Sequence, residues 1–328
     1  MGAPIFLTPL EEGSLALLSR IRDLWEKATP AVRRAYLEGV SAARDSAKLE
    51  QVAQLIEANR IEEALRLVDD VAPAISEALE DAYRRTGQAT TAALSRARAV
   101  RLTFDGVNPR AVAYLQEERL RLIREIAEDQ RGAVLRVLAD GNARGVPVRD
   151  MARGFRDVIG LTEKQATAVV NYRRLLEQNS SEALARALRD GRFDRTVRAA
   201  IANERPLTAT QINRMVDRYA ERYRAYRARV ISRTETLRAV HAAEHESIRQ
   251  ALEAAGDDGA GVVRIWRTAQ DDRVRDTHAD MEGQERGFDE PFESPSGELL
   301  MFPGDPEAPP EETIQCRCVV ESFIPRLR

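Results

Sequence analysis

The sequence predicts a mainly α protein with a C-terminal α+β domain, in which a long helical N-terminal arm precedes a small compact module with short strands. Up to residue 255 the chain is rich in Ala, Arg, Glu and Leu, with apolar residues three or four positions apart, as in amphipathic helices. After residue 256 short strand-like runs follow, and seven of the 14 prolines lie beyond residue 290. Both cysteines also lie in this last part. We therefore expect helical regions over 1–107 and 108–255 and a small α+β domain over 256–328.

Composition limits the classes of function. With 328 residues, 43% of them hydrophobic and 31% charged, the chain can bury a real core. The net charge of −3 predicts neither a nucleic-acid nor a membrane partner from overall charge alone, and no apolar run reaches the length of a membrane helix. Two cysteines at CxC spacing do not make a disulfide framework, so we expect synthesis in a reducing cytoplasm.

The first region should contain several helices. Thr29 and Pro30 predict an N-cap and a first-turn proline that open a helix over 31–43. Asn59-Arg60 is the expected break between two short helical stretches. Pro73 can begin a further helix that runs towards residue 100, and 103–108 should form a turn.

The second region shows clearer helix boundaries. Asn108-Pro109 should open a helix that ends near Asp140-Gly141, and a short helix should follow over 148–158. Capping boxes at 162–165 and 208–211 should begin two more, with a short element at 182–190 closed by Gly191. The last helix should end at residue 255, before a C′ Gly256, and would be roughly 70 Å long if unbroken.

The C-terminal module should contain strands over 262–266, 299–302 and 319–323. A short helix is expected over 272–281. Its carboxylates, Asp272 and Asp276 among them, alternate with arginines, which indicates a salt-bridged helix start more than an acid–base site.

Two groups of residues could bind a metal ion. His241, Glu244 and His245 match the inverted zinc-protease signature H-x-x-E-H, although exposed histidines on an amphipathic helix explain this short match better. Cys316, Cys318 and His278 could supply three corners of a structural zinc site, with Asp276, Asp280 or another carboxylate as the fourth. The alternative is a pair of reduced cysteines, one packed inward and one facing outward.

An arginine-rich stretch could contact DNA. Residues 186–229 contain 12 arginines against five acidic residues, and tyrosines are interleaved among them. Such a face could neutralise phosphates and stack on bases. The alternative is a helix face paired with acidic segments or with another subunit. The candidate contacts are Arg214, Arg218, Tyr219, Arg222, Tyr223 and Tyr226.

A set of spaced motif residues follows one order over about residues 231–320: Arg233, Thr234, Glu235, Trp266, Asp272, Arg273, Arg275, His278, Gly283, Pro303, Asp305, Cys316 and Cys318. This set resembles the phage Mu F-like head-morphogenesis family, the minor capsid proteins of tailed phages. The stretches 161–177 and 207–219 are similar to the helical region that precedes this domain in relatives.

The resemblance implies a virion protein, located in the capsid interior or at the portal vertex and assembled in the host cytoplasm. It implies few copies per head and contact with the portal protein and other capsid proteins, with a role in head assembly and in DNA packaging or ejection. It does not imply an enzyme or a catalytic residue, and the possible structural zinc ion follows from the His278, Cys316 and Cys318 side chains and not from the resemblance. A DNA-binding internal head protein is the alternative, and a zinc-dependent hydrolase is the least favoured.

Within that resemblance the motif residues are expected to stabilise the module. Trp266 should anchor its core, and its indole N–H needs a partner. Asp272, Arg273, Arg275 and His278 should set the turn geometry through charge-assisted hydrogen bonds. Asp305 should hold the loop after Pro303 in the same way.

Overall fold

The structure, a computed structural model, describes residues 9–68, 72–98 and 101–324. It confirms the predicted fold class, because long helices dominate and the short antiparallel strands lie near the C-terminus. Within the described residues no helix is both long and apolar enough to cross a membrane. The helices are α1 (Pro9–Ser46), α2 (Leu49–Glu57), α3 (Ile61–Arg66), α4 (Ala72–Arg98), α5 (Pro109–Ala143), α6 (Val148–Val158), α7 (Glu163–Glu177), α8 (Asp194–Ala202), α9 (Ala209–Ala255), α10 (Asp276–Ala279) and α11 (Pro310–Thr313).

Local capping chemistry places several of these boundaries where the sequence predicts them. The Asn108 side chain accepts a hydrogen bond from the Ala111 amide at 2.9 Å at the start of α5. Thr162 and Gln165 form the predicted capping box of α7. At the start of α9 the Thr208 amide donates to the Gln211 side chain at 2.9 Å, and Gly256 follows the helix with a φ of 66°.

Pro30 lies inside α1, so the prediction that a new helix begins there is wrong. The Thr29 hydroxyl donates to the carbonyl of Trp25, four residues back, at 2.7 Å instead of capping a helix. Buried apolar side chains keep the helical spacing on both sides of the proline, from Trp25 to Val32 and Tyr36. We infer that their burial outweighs the backbone hydrogen bond that the proline removes.

Several other helix boundaries differ from the predicted ones, because the chain turns earlier or later than expected. The helix α5 continues past Asp140-Gly141 to Ala143, and Gly145, with a φ of 63°, takes the left-handed position after it. The element predicted at 182–190 is a 3-10 turn over Ser181–Ala185. Gly191 begins a second such turn, because the Asp190 side chain accepts from the Arg192 amide. The helix beginning near residue 73 ends at Arg98, and residues 99 and 100 lie outside the described part.

The chain divides into two compact units that differ from the three consecutive domains expected. Unit 1 comprises the described residues up to 33 together with 77–117 and 230–324, and unit 2 comprises 34–76 and 118–229. The helices α1, α4, α5 and α9 each contribute residues to both units, and neither boundary falls at residue 107 or 255.

Unit 1 contains the strands, which are β1 (Val263–Arg267), β2 (Glu285–Gly287), β3 (Phe292–Glu293), β4 (Leu299–Leu300) and β5 (Val319–Phe323). A three-stranded antiparallel sheet has the order β2-β1-β5, and a separate two-stranded sheet pairs β3 with β4. In the central pair Trp266 lies opposite Val320. The strand at 299–302 is shorter than predicted, because the Asp305 carboxylate accepts from the Met301 amide at 2.6 Å and turns the chain.

The core of unit 1 joins these strands to helices. Trp266 and Val320 of the sheet belong to one buried cluster with Trp25 of α1 and with Leu237 and Val240 of α9. The prediction that residues 256–328 form a separate small domain is therefore wrong. Strands of two to five residues cannot bury enough apolar surface alone, so helices from earlier in the chain complete the core.

Unit 2 is helical where it is described. In its core the Tyr36 hydroxyl donates to the Gly160 carbonyl at 2.8 Å. The buried Arg224 donates to the Asp157 carbonyl at 2.9 Å. Burial raises the pKa of Asp157 to about 6, although nearby arginines, Arg173 first, oppose that shift.

Candidate metal centre

Three buried side chains from two stretches of unit 1 meet at one point. His278 lies on α10, and Cys316 and Cys318 lie just before β5. The Nδ1 atom of His278 is 3.4 Å from the Cys316 sulfur and 3.5 Å from the Cys318 sulfur. The three ligand atoms all lie within 4.8 Å of one another, and among the described residues this is the one such group of His, Cys, Asp or Glu side chains. The structure thus brings the predicted trio together.

Glu312, which the sequence analysis missed, holds the imidazole from the other side. Its carboxylate lies 2.7 Å from His278 Nε2 and also accepts from the Ser296 hydroxyl at 2.7 Å. Burial alone would raise the pKa of Glu312, but hydrogen bonds from Ser296 and His278 bring it below its ordinary value. An ionised carboxylate only accepts, so Nε2 carries the proton and Nδ1 is left facing the two sulfurs.

The two cysteine thiols shift each other's pKa in opposite directions. Although burial opposes ionisation, the hydrogen bonds of the Cys316 sulfur with Cys318 and His278 hold the pKa of Cys316 well below its ordinary value. The hydrogen bond to Cys316, together with burial, raises the pKa of Cys318. Both cysteines are free and buried, so the alternative with one of them facing outward does not describe this structure.

Trp266 packs directly on the trio. Its ring meets the His278 ring edge-on, with centroids 5.3 Å apart, and Phe292 lies at the same distance on another side. The indole N–H is buried and makes no hydrogen bond to any described acceptor. The positive end of this N–H favours the thiolate form of Cys318 and so lowers the pKa of that thiol. The hydrogen bond to Cys316 and burial raise the same pKa by more.

The carboxylates considered as a fourth ligand do not join this group. Asp276 and Asp280 are both exposed and lie outside the cluster. The helix predicted at 272–281 is reduced to α10, because Asp271 accepts from the Arg273 amide at 3.0 Å and forms a turn there instead. Asp271 also pairs with Arg317, next to the cysteines.

Most of the other motif residues fasten neighbouring segments of unit 1 to one another. The Thr234 hydroxyl accepts from the Gln315 amide at 3.0 Å, and Glu235 pairs with Arg238 at 3.1 Å. The carbonyl of Arg233 accepts from the Trp25 indole at 3.1 Å.

The loop residues of the motif act in a similar way. Arg275 donates to the carbonyls of Glu312 and Ile314, and Asp305 accepts from the amides of Met301 and Glu307, as the predicted roles require. Gly283 has a φ of 76°, which only glycine adopts without strain. Pro303 is buried, whereas Asp272 and Arg273 are exposed.

The H-x-x-E-H residues do not form a metal site in the described structure. His241 is buried, its Nδ1 lies 3.2 Å from the Leu237 carbonyl, and its Nε2 accepts from the Val320 amide at 3.3 Å. The His245 ring stacks on Phe288 with centroids 4.4 Å apart. His241 is therefore a buried residue of α9 and His245 a half-buried one, so neither is exposed as the simpler interpretation held. No third ligand joins them among the described residues.

Replacing Glu244 by Gln should change how stability depends on pH. Burial raises the pKa of Glu244 to about 8, partly offset by Arg264. The folded chain keeps a proton on Glu244 that the unfolded chain releases. In the wild type, the contribution of this carboxyl to the free energy of unfolding is therefore fully present below the ordinary carboxyl pKa and is lost as pH rises through about 8. Between those two pKa values the contribution falls by about 1.4 kcal/mol per pH unit.

Urea unfolding of the two proteins from about pH 7 to 9 measures this effect. Burial lowers the pKa of both His241 and His245 to about 3, so both rings stay neutral in this range and do not obscure the result. The Gln variant should gain stability relative to the wild type as pH rises. Parallel pH profiles of the free energy of unfolding for the two proteins would count against this prediction.

The candidate DNA-contact face is largely occupied within unit 2. Tyr219 is 2% exposed, and its ring lies against Tyr172 with centroids 4.3 Å apart. Arg218 pairs with Glu221, and Arg222 donates to the Arg189 carbonyl and pairs with Asp190 at 3.5 Å. The pKa of Asp190 is lowered to about 2, chiefly by its hydrogen bond with Arg192.

The remaining residues of this face have contacts of their own. Arg214 lies over the Phe193 ring, Tyr223 meets Tyr219 edge-on, and Tyr226 is 39% exposed beneath Arg229. The contacts favour the interpretation of a packed helix face, and DNA contact stays a prediction.

Comparison with known proteins defines the class. Residues 133–321 match the family described as "Phage Mu protein F like protein". This is more than half of the 328 residues, so the chain belongs to the phage Mu F-like family, as the motifs predict, and is a phage head-related, virion-associated protein. The match begins about a hundred residues earlier than the motifs alone indicated, and so includes α6, α7 and α8.

One curated relative gives a shorter match. The chain is 36% identical over 101 residues to the "uncharacterized protein YqbB" of Bacillus subtilis (strain 168). That alignment covers 30% of this chain and 31% of YqbB, so the two are similar over about a third of their lengths. No solved structure matches the chain.

Proposed function

We propose that this protein is a minor capsid protein of a tailed phage or prophage, that it acts in procapsid morphogenesis near the portal in few copies per head, and that it has a role in DNA packaging or ejection. The observation that carries the proposal is the family match over residues 133–321. Contact with the portal protein and other capsid proteins is part of the proposal.

The internal contacts of the motif residues support an assembly role over an enzymatic one. Thr234, Arg238 and the Arg233 backbone tie α9 to Gln315, Gly304 and Trp25 respectively. Residues used in this way build a rigid docking body, whereas catalytic groups need access to substrate. A structural protein that recognises its partner through shape needs this rigidity.

The DNA-binding alternative has weaker support. The net charge is −3, Arg218 pairs with Glu221, and Arg222 pairs with Asp190 and donates to the Arg189 carbonyl. Non-specific DNA binding depends on neutralising phosphates with free cations, which this arrangement reduces.

A knockout of the whole gene in the phage or lysogen that encodes it tests the proposal, with re-supply of the intact chain as the matched control. Deleting residues 231–328 alone would remove most of unit 1 and confuse misfolding with loss of function. We expect heads from the knockout to be malformed or to lose infectivity, and the intact chain to restore both. Mass spectrometry of purified procapsids should find the chain at a few copies per portal.

Normal, infectious heads from the knockout would overturn the proposal. So would recovery of the chain from particles that lack the portal in the same amount as from complete ones. A purified chain that binds double-stranded DNA at physiological salt without any portal would favour the internal DNA-binding alternative instead.

A further inference from the structure

The geometry points to a zinc ion bound by His278 Nδ1 and the sulfurs of Cys316 and Cys318, with its fourth position open to a water or small oxyanion from an arginine-lined cavity. The inference does not depend on the proposed role in head assembly.

The interatomic distances fit a tetrahedral ion. With Zn–S near 2.3 Å and Zn–N near 2.0–2.1 Å, tetrahedral geometry separates a sulfur from a nitrogen by about 3.5 Å. The two observed separations from Nδ1 are 3.4 and 3.5 Å. Two thiolates and an imidazole form a donor set of the kind that selects zinc over magnesium or calcium.

Hydrogen bonding alone does not account for both close sulfurs. The Nδ1 atom has either one proton or one lone pair, so it can make a good hydrogen bond to one of the two sulfurs only. A cation placed between the three atoms satisfies the nitrogen and both sulfurs together. The Glu312–His278 pair is also the usual support of a zinc-bound histidine, because the carboxylate fixes the tautomer and makes the imidazole a better donor.

The surroundings support two thiolates. The Trp266 indole N–H is buried without a described acceptor, and a metal-bound Cys318 sulfur is a natural one. The Cys318 amide lies 3.4 Å from the Cys316 sulfur, so that sulfur already receives one N–H.

The fourth position faces a cavity and not a carboxylate. A cavity of about 300 Å³ touches all three proposed ligands, and no described Asp or Glu lines it. Two thiolates cancel the charge of Zn²⁺, so the nearby guanidinium groups favour an anion in the remaining position. The other polar residues of this cavity are Arg233, Arg273, Arg275, Gln315 and Arg317.

The ion would hold together segments that have few backbone bonds between them. Cys316 and Cys318 come directly before β5. His278 belongs to α10, which lies between β1 and β2 along the chain, and β1 is the partner of β5 in the sheet. A metal ion bound here would fix the start of β5. The described residues contain no disulfide that could do so.

Metal analysis of the full-length protein, purified without chelators, tests the site. We expect one zinc per chain, and expect Cys316→Ser, Cys318→Ser and His278→Gln each to lower zinc affinity in chelator competition by more than about 100-fold. Glu312→Gln should weaken binding by about 10–100-fold, as for supporting residues elsewhere. Asp276→Asn and Asp280→Asn are matched controls, and both should keep the wild-type affinity.

Cobalt substitution of the wild type provides a readout that does not depend on how any variant folds. Thiolate-to-cobalt charge-transfer bands and strong tetrahedral d–d bands are expected, and inorganic phosphate should shift the d–d bands if the fourth ligand is exchangeable. Wild-type protein that binds neither ion, or Cys316 and Cys318 joined in a disulfide as purified, would overturn the site. Loss of zinc in Asp276→Asn or Asp280→Asn, or d–d bands that do not respond to phosphate, would overturn the open fourth position.

Discussion

Replacing Arg264 by Met is expected to lower the free energy of unfolding by about 3–5 kcal/mol, a loss typical of breaking a buried charged network. Arg264 is 1% exposed in the strand β1. Its guanidinium donates to the carbonyls of Gly287 at 3.0 Å, Met301 at 2.6 Å and Glu290. Met fills a similar volume but leaves these three carbonyls without a donor, at about 1–3 kcal/mol for each one that stays buried.

The charge at Arg264 matters as well. Its guanidinium lies over the Phe292 ring at 5.1 Å, and it opposes the rise in the pKa of the buried Glu244. Burial lowers the pKa of Arg264 itself to about 10, which still leaves it charged near neutral pH. Arg264→Met should therefore keep Glu244 protonated to a higher pH than in the wild type.

Urea unfolding followed by circular dichroism measures the effect of Arg264→Met. Arg85→Met is the matched control, because Arg85 is an exposed helix residue of the same unit that pairs with Asp81 at 2.8 Å, and its loss should change stability by less than about 0.5 kcal/mol. Arg264→Lys should give an intermediate loss, since one ammonium group cannot reach all three carbonyls. Equal stability of Arg264→Met and Arg85→Met would show that the carbonyls find other donors.

Replacing Trp266 by Ala should cost about 3–5 kcal/mol, because the indole is fully buried between Phe292 and His278 and a cavity would remain. Trp266→Phe is expected to cost much less. The indole N–H makes no hydrogen bond to a described acceptor, so the Phe variant loses volume but no hydrogen bond to a carbonyl.

Trp25 provides the matched comparison, measured by thermal or urea unfolding at a fixed zinc concentration. Its indole donates to the Arg233 carbonyl at 3.1 Å, so Trp25→Phe loses a hydrogen bond as well as volume. We expect Trp25→Phe to be more destabilising than Trp266→Phe. If Trp266→Phe instead costs as much as Trp266→Ala, the N–H is essential, and the sulfur of Cys318 is the acceptor to examine.

Features that depend on neighbours in sequence could be predicted. The caps at Asn108, Thr162 and Thr208 and the Gly256 end of α9 follow from side chains that bond to the backbone two or three residues away. The trio of His278, Cys316 and Cys318 could be named because few side chains bind zinc, even though 38 residues separate His278 from the nearer cysteine.

Features that depend on tertiary packing could not be predicted. Glu312 and Arg264 look like ordinary surface charges in the sequence, and only the fold reveals what they contact across 34 and 37 residues. The strands β2 and β3 span three and two residues, too few to show alternation. The helix start predicted at Pro30 is wrong because α1 is held by distant core contacts, which a local rule does not include.

The arginine-rich stretch illustrates the same limit of a local pattern. Spacing placed Arg214, Arg218 and Arg222 on one face of a helix, but it could not show that Asp190 and the Arg189 carbonyl lie against that face. A count of charges over a segment gives the local balance and says nothing about which charges are already neutralised by the fold.

The discontinuous make-up of unit 1 has a consequence for the order of events during translation. All of unit 2 lies between residues 34 and 229, so it has been synthesised before any strand of unit 1. The first helix residues of unit 1, including Trp25, must wait for a core whose last strand ends at Phe323. A ribosome that stalls or a protease that clips the chain before β5 would leave that core open, so only nearly complete molecules would be competent to join an assembly.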